Sequence, residues 1–181
     1  MKIKCFFLTA LLLAVTTIGF AQTANPVKRI GVFTNMKSSQ EHQSGYSVEL
    51  WQEKDRFFGF FLSAAGLAGD TPTGLLEDVM FDPKTGKLSF RTRLSTGMTV
   101  NKNNEEIPTR DLYQFEGSLK GQGLTGILEY TNALDSSAKG KKTNVSLRKS
   151  KSETDSMSKA KSYDEWKKEA DEILAFRGPK W

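Results

Sequence analysis

The chain has 181 residues, 38% of them hydrophobic, with 26 basic and 21 acidic side chains, a formal charge of +5, one histidine and one cysteine. That length suits a single domain. One cysteine excludes an internal disulfide framework, and one histidine with one cysteine cannot furnish an ordinary zinc site.

Lys2 and Lys4 open the chain, residues 5–15 form an apolar run broken only by Thr9, and the small residues Gly19 and Ala21 flank Phe20. These are the three parts of a secretory signal, and the run is too short to span a bilayer. Cys5 stands ahead of the run, whereas a lipoprotein's cysteine follows it. The expectation is a signal peptide over residues 1–21, cleaved before Gln22, and a soluble exported protein in the periplasm or medium of a bacterium. Cleavage removes Cys5, Lys2 and Lys4, leaving 24 basic against 21 acidic groups and no thiol.

From residue 29 to about 150 apolar residues alternate and glycines punctuate, the pattern of antiparallel strands with one buried face. A first strand is predicted over residues 30–36. Tyr46, Val48 and Leu50 then alternate with Ser47, Glu49 and Trp51, and Glu53-Lys54-Asp55 turns the chain into 56–63. That next strand is apolar on both faces: Phe57, Phe58, Phe60 and Phe61 surround Gly59, which predicts a bend or a close backbone approach. It is either buried on both sides, under the helix described below, or exposes an apolar patch.

Asp82-Pro83-Lys84-Thr85-Gly86-Lys87 carries turn chemistry, with a φ set by proline, an aspartate able to bond the following backbone, and a glycine for the left-handed position. Strands 76–81 and 88–95 flank it, the second with Arg91 and Arg93 on its polar face. The clearest hairpin spans 112–130: Tyr113, Phe115, Gly117 and Leu119 share one face, Lys120-Gly121-Gln122-Gly123 turns, and Leu124, Gly126, Leu128 and Tyr130 resume the alternation. With 143–149 the strands number about eight, at the spacing of a sandwich or barrel.

Residues 151–161 are rich in Ser and Lys and read as a polar linker. Ser162 and Glu165 form a capping box, and Tyr163, Trp166, Ala170, Ile173 and Leu174 fall on one stripe before Gly178 and Pro179. A helix is therefore predicted over 162–177. It is too short to stand alone in water, so its stripe should dock on the barrel or on a partner.

Strands in up-and-down order followed by a C-terminal helix resemble the lipocalin and avidin type of calycin barrel. The glycine-punctuated phrase at 115–126 is similar to a hairpin of small secreted bacterial proteins with such barrels. The opening Gly-x-Trp of lipocalins is replaced by Gly31-Val32-Phe33, and Arg148 is a positional candidate for the family's packing arginine. The resemblance implies a mainly β, about eight-stranded antiparallel barrel over 29–150, with an interior able to hold one small apolar molecule.

Phe58, Phe60, Phe90, Tyr113, Phe115 and Tyr130 are the candidates to line such a cavity, against the plainer expectation that they pack a core. His42, beside Glu41 in a polar segment, has no second histidine and reads as a solvated loop residue. Glu77 and Asp78 sit in a presumed strand, where alternation turns one inward; the alternative is a rim position with a salt bridge. Glu105-Glu106 lies in an Asn-rich loop. Gly-x-Ser-x-Gly and a phosphate loop are absent from the sequence, so an enzyme is the minor reading. Neither a cofactor nor a metal is implied. Lys139, Lys141, Lys142, Arg148, Lys149 and Lys151 form a basic run that suits an anionic envelope surface, or equally an edge strand guarded by lysines. Nucleic acid is not an expected partner. The reading is an exported non-enzymatic binding protein holding a small apolar or amphipathic ligand in a barrel. The alternative is a solid barrel that docks on an envelope component through its basic strand, aromatic face or helix.

Overall fold

A computed structural model describes residues 27–67, 69, 71–135 and 139–181; the expected signal peptide lies outside them. In chain order the elements are β1 (Lys28–Thr34), β2 (Lys37–Ser38), β3 (His42–Glu53), β4 (Arg56–Leu67), β5 (Thr73–Leu75), β6 (Glu77–Asp82) and β7 (Lys87–Leu94). They continue with β8 (Met98–Val100), β9 (Glu106–Pro108), β10 (Asp111–Lys120), β11 (Gly123–Asn132), β12 (Lys141–Ser150), α1 (Lys151–Asp155) and α2 (Tyr163–Arg177). No described helix is long and apolar enough to cross a membrane.

Nine strands form one antiparallel sheet in the order β5-β4-β3-β1-β12-β11-β10-β7-β6, with β2 added beside β3 and β8–β9 a separate hairpin. The ends of that order, β5 and β6, are consecutive in the chain with only Leu76 between them. The sheet therefore curls into a nearly closed barrel. At the seam a Cβ on Gly74 would lie 2.3 Å from the Arg93 carbonyl and 2.4 Å from Thr92 Oγ1, so the missing side chain lets β5 press against β7. Beyond α2 the chain straps this seam: the Lys180 amide donates to Ser95 Oγ (3.1 Å) and the Trp181 indole to the Leu94 carbonyl (2.9 Å).

The two turns follow their chemistry. Asp82 accepts from the Lys84 amide (2.9 Å) and Thr85 Oγ1 (2.6 Å), and Gly86 takes φ +74°. These bonds to its ionised form hold the Asp82 carboxyl below the usual range. Gly121 takes φ +55° between Lys120 and its partner Gly123.

Side-chain alternation splits the apolar residues into two cores. Inside the barrel lie Phe33, Val48, Leu50, Phe61, Leu88, Phe90, Tyr113, Phe115, Leu124 and Leu147, among others. Outside, Val32, Trp51, Phe58 and Phe60 meet Met157, Trp166 and Ala170. The dense phenylalanine strand is thus buried on both faces: Phe61 inward, and Phe58 and Phe60 outward at ring distances of 4.6 and 5.3 Å from Trp166. Gly59 between them has φ +153°, and its absent Cβ would stand 1.8 Å from the Glu49 carbonyl. Only glycine permits β3 and β4 to approach so closely there.

Ser162 caps α2 by accepting from the Glu165 amide (3.2 Å), while Glu165 reaches back to the Lys161 amide (2.8 Å). Docking of α2 on the outer wall supplies the burial that a short helix lacks by itself. Residues 151–161, expected as a linker, contain α1 and the buried Met157, and Thr154 Oγ1 accepts from the Val32 amide (3.0 Å). Local composition there is polar because few of its residues face the wall: Met157 is buried, Ala160 packs against the same cluster and Thr154 is a polar anchor.

Candidate functional site

The two ends of the barrel differ. At the end holding the β6–β7 and β10–β11 turns, Phe57 and Phe81 meet edge to face at 4.9 Å. In the middle, rings touch across the lumen: Phe61 on β4 lies 6.1 Å from Phe90 on β7 and 5.2 Å from Tyr113 on β10. Phe90 stacks on Phe115 at 5.0 Å, and Tyr113 lies 5.3 Å from Tyr130. These strands do not all pair with one another, so side chains bridge the interior at this level.

Toward the opposite end the packing loosens into a recess of about 300 Å³. Ala64, Ala65, Leu67 and Pro72 give it apolar walls, and Ser63, Thr71, Thr96 and Tyr113 bring hydroxyls. Burial pushes the Tyr113 phenol up to about 12, against a Ser63 hydrogen bond that acts the other way. It is a neutral donor throughout the physiological range.

Asp111 holds the rim. Its fully buried carboxylate accepts from the Thr96 amide (2.8 Å), Thr96 Oγ1 (2.7 Å), Thr109 Oγ1 (2.6 Å) and the Tyr130 hydroxyl (3.0 Å). Burial and the Asp111 charge push the Tyr130 phenol up. Four donors satisfy one buried charge, and the excursion carrying β8 and β9 is fastened to the barrel end by it. Across the recess, Thr71 Oγ1 donates to Gln43 (2.7 Å) and Thr73 Oγ1 to the Thr71 carbonyl (3.0 Å). An apolar concavity with a few fixed hydroxyls can seat a small molecule that is mostly hydrocarbon and carries one polar group.

The structure divides the residues expected to line a cavity. Phe90, Tyr113, Phe115 and Tyr130 belong to the interior core, with Tyr113 alone reaching the recess. Phe58 and Phe60 do not line the interior; they belong to the outer core beneath α2. Phenylalanines stand at both parities of β4, so the sequence carries no mark of which pair faces inward.

Glu77 and Asp78 both face outward and pair with arginines, as the salt-bridge reading expects and simple alternation does not. A register shift lies between Glu77 and Met80, and Asp78 takes φ +49°. Glu77 accepts from Arg93 (2.6 Å) and Asp78 from Arg91 Nε (2.9 Å), so these carboxylates occupy the polar face of β7. His42 is exposed at the start of β3, its amide bonded to Ser39 Oγ (3.1 Å). Glu105 is tied to Asn101 Nδ2 (2.8 Å) and Glu106 begins β9. No cluster of three potential metal ligands occurs among the described residues.

The basic run does not guard a sheet edge. Its strand, β12, lies between β1 and β11. Six residues separate Lys142 from Arg148, about 20 Å along a strand. Lys139, Lys141 and Lys142 therefore lie toward the recess end, with Arg148, Lys149 and Lys151 at the other. Lys142 pairs with Glu129 at 3.4 Å.

Asp111, Thr96 and Glu49 escape a reading of sequence. Asp111 and Thr96 bracket an excursion whose return to the barrel is a tertiary fact. Glu49 shares a strand face with Trp51, a parity that has meaning only once α2 covers it. Set against protein-family models, curated proteins and solved structures, the chain finds no match.

Proposed function

We propose that this chain is an exported, non-enzymatic binding protein of the lipocalin-like kind, which holds one small apolar or amphipathic ligand at the recessed end of its barrel. The observation that carries the reading is the recess beside Tyr113, where alanine and leucine walls meet buried hydroxyls. Its volume fits a small molecule and not a long lipid, because the rings of Phe61, Phe90 and Tyr113 occupy the lumen below it. The charged leader, apolar run and small residues before Gln22 support export. Tyr113 would orient the ligand's polar end, and the hydrocarbon would rest on Ala64, Ala65 and Leu67.

The ring contacts across the lumen also favour a second reading, a solid scaffold that docks through its surface. Titration with an anilinonaphthalene sulfonate dye, followed by displacement with short-chain fatty acids and alcohols, separates the two. Ala65→Trp fills the recess from an exposed position without entering the core. The binding reading expects saturable displacement in the wild type and its loss in this variant. Displacement that persists in Ala65→Trp, or none in either protein, supports the scaffold.

A further inference from the structure

A second, independent cavity system lies outside the barrel. On the outer face of β3, Glu49 follows the parity of Ser47 and Trp51 and is covered by α2 and the segment that leads into it. Two recesses meet at this residue. One, of about 330 Å³, lies between Val32 and Leu62 of the wall and Glu153 and Met157 of the cover. The other, of about 250 Å³, is bounded by Phe60, Trp166, Glu169 and Arg177. Both share Glu49, Leu62, Ser156 and Met157.

The Trp51 indole donates to Glu49 Oε1 at 2.6 Å, and Trp166 lines the second recess beside the same carboxyl. A carboxylate has about four acceptor sites, so the Trp51 indole leaves acceptor capacity unused. Burial, with the Glu169 charge adding to it, pushes the Glu49 carboxyl up. Among the described residues, Glu49, Glu153 and Glu169 make no ion pair. Arg177 is the one cation that lines either recess, and its guanidinium reaches the Gly69 carbonyl at 3.5 Å. A chain with an excess of positive charge overall thus concentrates carboxylates in an aromatic and thioether-walled cleft.

We propose that this cleft binds a small organic cation, a primary ammonium group on an apolar body, with the ammonium on Glu49 and Glu169 and the body on Phe60, Leu62 and Met157. The ammonium's three donors match the vacant acceptor sites, and the nearby aromatic faces attract a cation in their own right. Neutral apolar molecules of the same shape gain only the second part. The groups that face Glu49 are Trp51 on its own strand, Trp166, Glu169 and Arg177 on α2, and Glu153 on α1. A bound cation favours the ionised Glu49, so binding releases a proton and strengthens as pH rises through the raised value.

The test is a titration of the full chain with benzylammonium, read by tryptophan fluorescence and calorimetry, with benzyl alcohol as the neutral control. Saturable binding of benzylammonium at neutral pH is expected, weaker by tenfold or more for benzyl alcohol, since a hydrogen bond to a charged group is worth about that factor or more. Glu49→Gln keeps an acceptor for the Trp51 indole and removes the charge; it should weaken benzylammonium at least tenfold and abolish the rise with pH. If circular dichroism shows that this variant does not fold, Glu169→Gln on the exposed side of α2 takes its place and should weaken binding several-fold. Equal binding of the alcohol, no saturable binding of the amine, or unchanged binding in a folded Glu49→Gln would overturn the proposal.

Discussion

Truncation of Trp166 to alanine tests whether α2 is an integral wall of the domain. Trp166 is 2% exposed. Its ring lies 4.6 Å from Phe58, 5.3 Å from Phe60 and 5.7 Å from Tyr163. Removing a buried tryptophan costs about 3–5 kcal/mol when the cavity cannot collapse. Collapse is restricted here because Phe58 and Phe60 project from a strand hydrogen-bonded on both sides. For a domain of this size each kcal/mol shifts the melting temperature by about 2–4 °C, so the expected drop is about 6–20 °C. Far-ultraviolet circular dichroism during heating measures it, and near-ultraviolet dichroism at low temperature should lose part of its aromatic signal. Trp166→Phe keeps a ring and loses only the indole N–H, so it should fall between. A shift of under about 2 °C for the alanine variant would refute the reasoning, because a helix that can lose its buried anchor so cheaply is not packed on the wall.

Three further outcomes follow from the geometry. Gly59→Ala places a methyl 1.8 Å from the Glu49 carbonyl, whereas a methyl at Gly66 meets nothing within 4 Å. The first should abolish or severely reduce soluble folded protein, and the second should change urea stability by less than about 0.5 kcal/mol. Asp111→Ala leaves the Thr96 amide and three hydroxyls without their buried acceptor, for a loss of about 3 kcal/mol or more in urea, with hydrogen exchange rising first around residues 96–109. Tyr113 is raised in the folded chain from 10.0 to about 12, so its contribution to stability is complete below the unfolded value and fades as pH climbs to the folded one. Phenolate absorbance should show it ionising after the exposed phenols, and Tyr113→Phe should flatten the stability loss across that interval.

Strands whose residues alternate between water and core announce themselves in the sequence, as 88–95 and 112–130 do, and so do turns with their own chemistry, such as Asp82 to Lys87. The amphipathic helix after Ser162 is legible for the same reason, since its cap and stripe are local. What stays hidden depends on contacts between distant segments. β5 is only Thr73–Leu75 and carries a glycine for the sake of the seam with β7, so no periodicity marks it. The bulge at Asp78 turns both acids outward although alternation predicts otherwise. For Phe58 and Phe60, symmetrical hydrophobicity conceals the facing, and the helix that covers them decides it. The candidate site is legible to the extent of Tyr113, which lies on a clearly alternating strand. Its companions Ser63, Thr71 and Thr96 are small polar residues near strand ends, and nothing local sets them apart from ordinary loop residues.

The central claim is that the recess beside Tyr113 holds a small molecule. Native mass spectrometry of the chain purified from the host that produces it addresses that claim most directly. The account predicts a mass excess equal to one small apolar or amphipathic molecule, present in the wild type and lost in Ala65→Trp. A wild-type spectrum at the bare polypeptide mass, or an excess retained in Ala65→Trp, would contradict it.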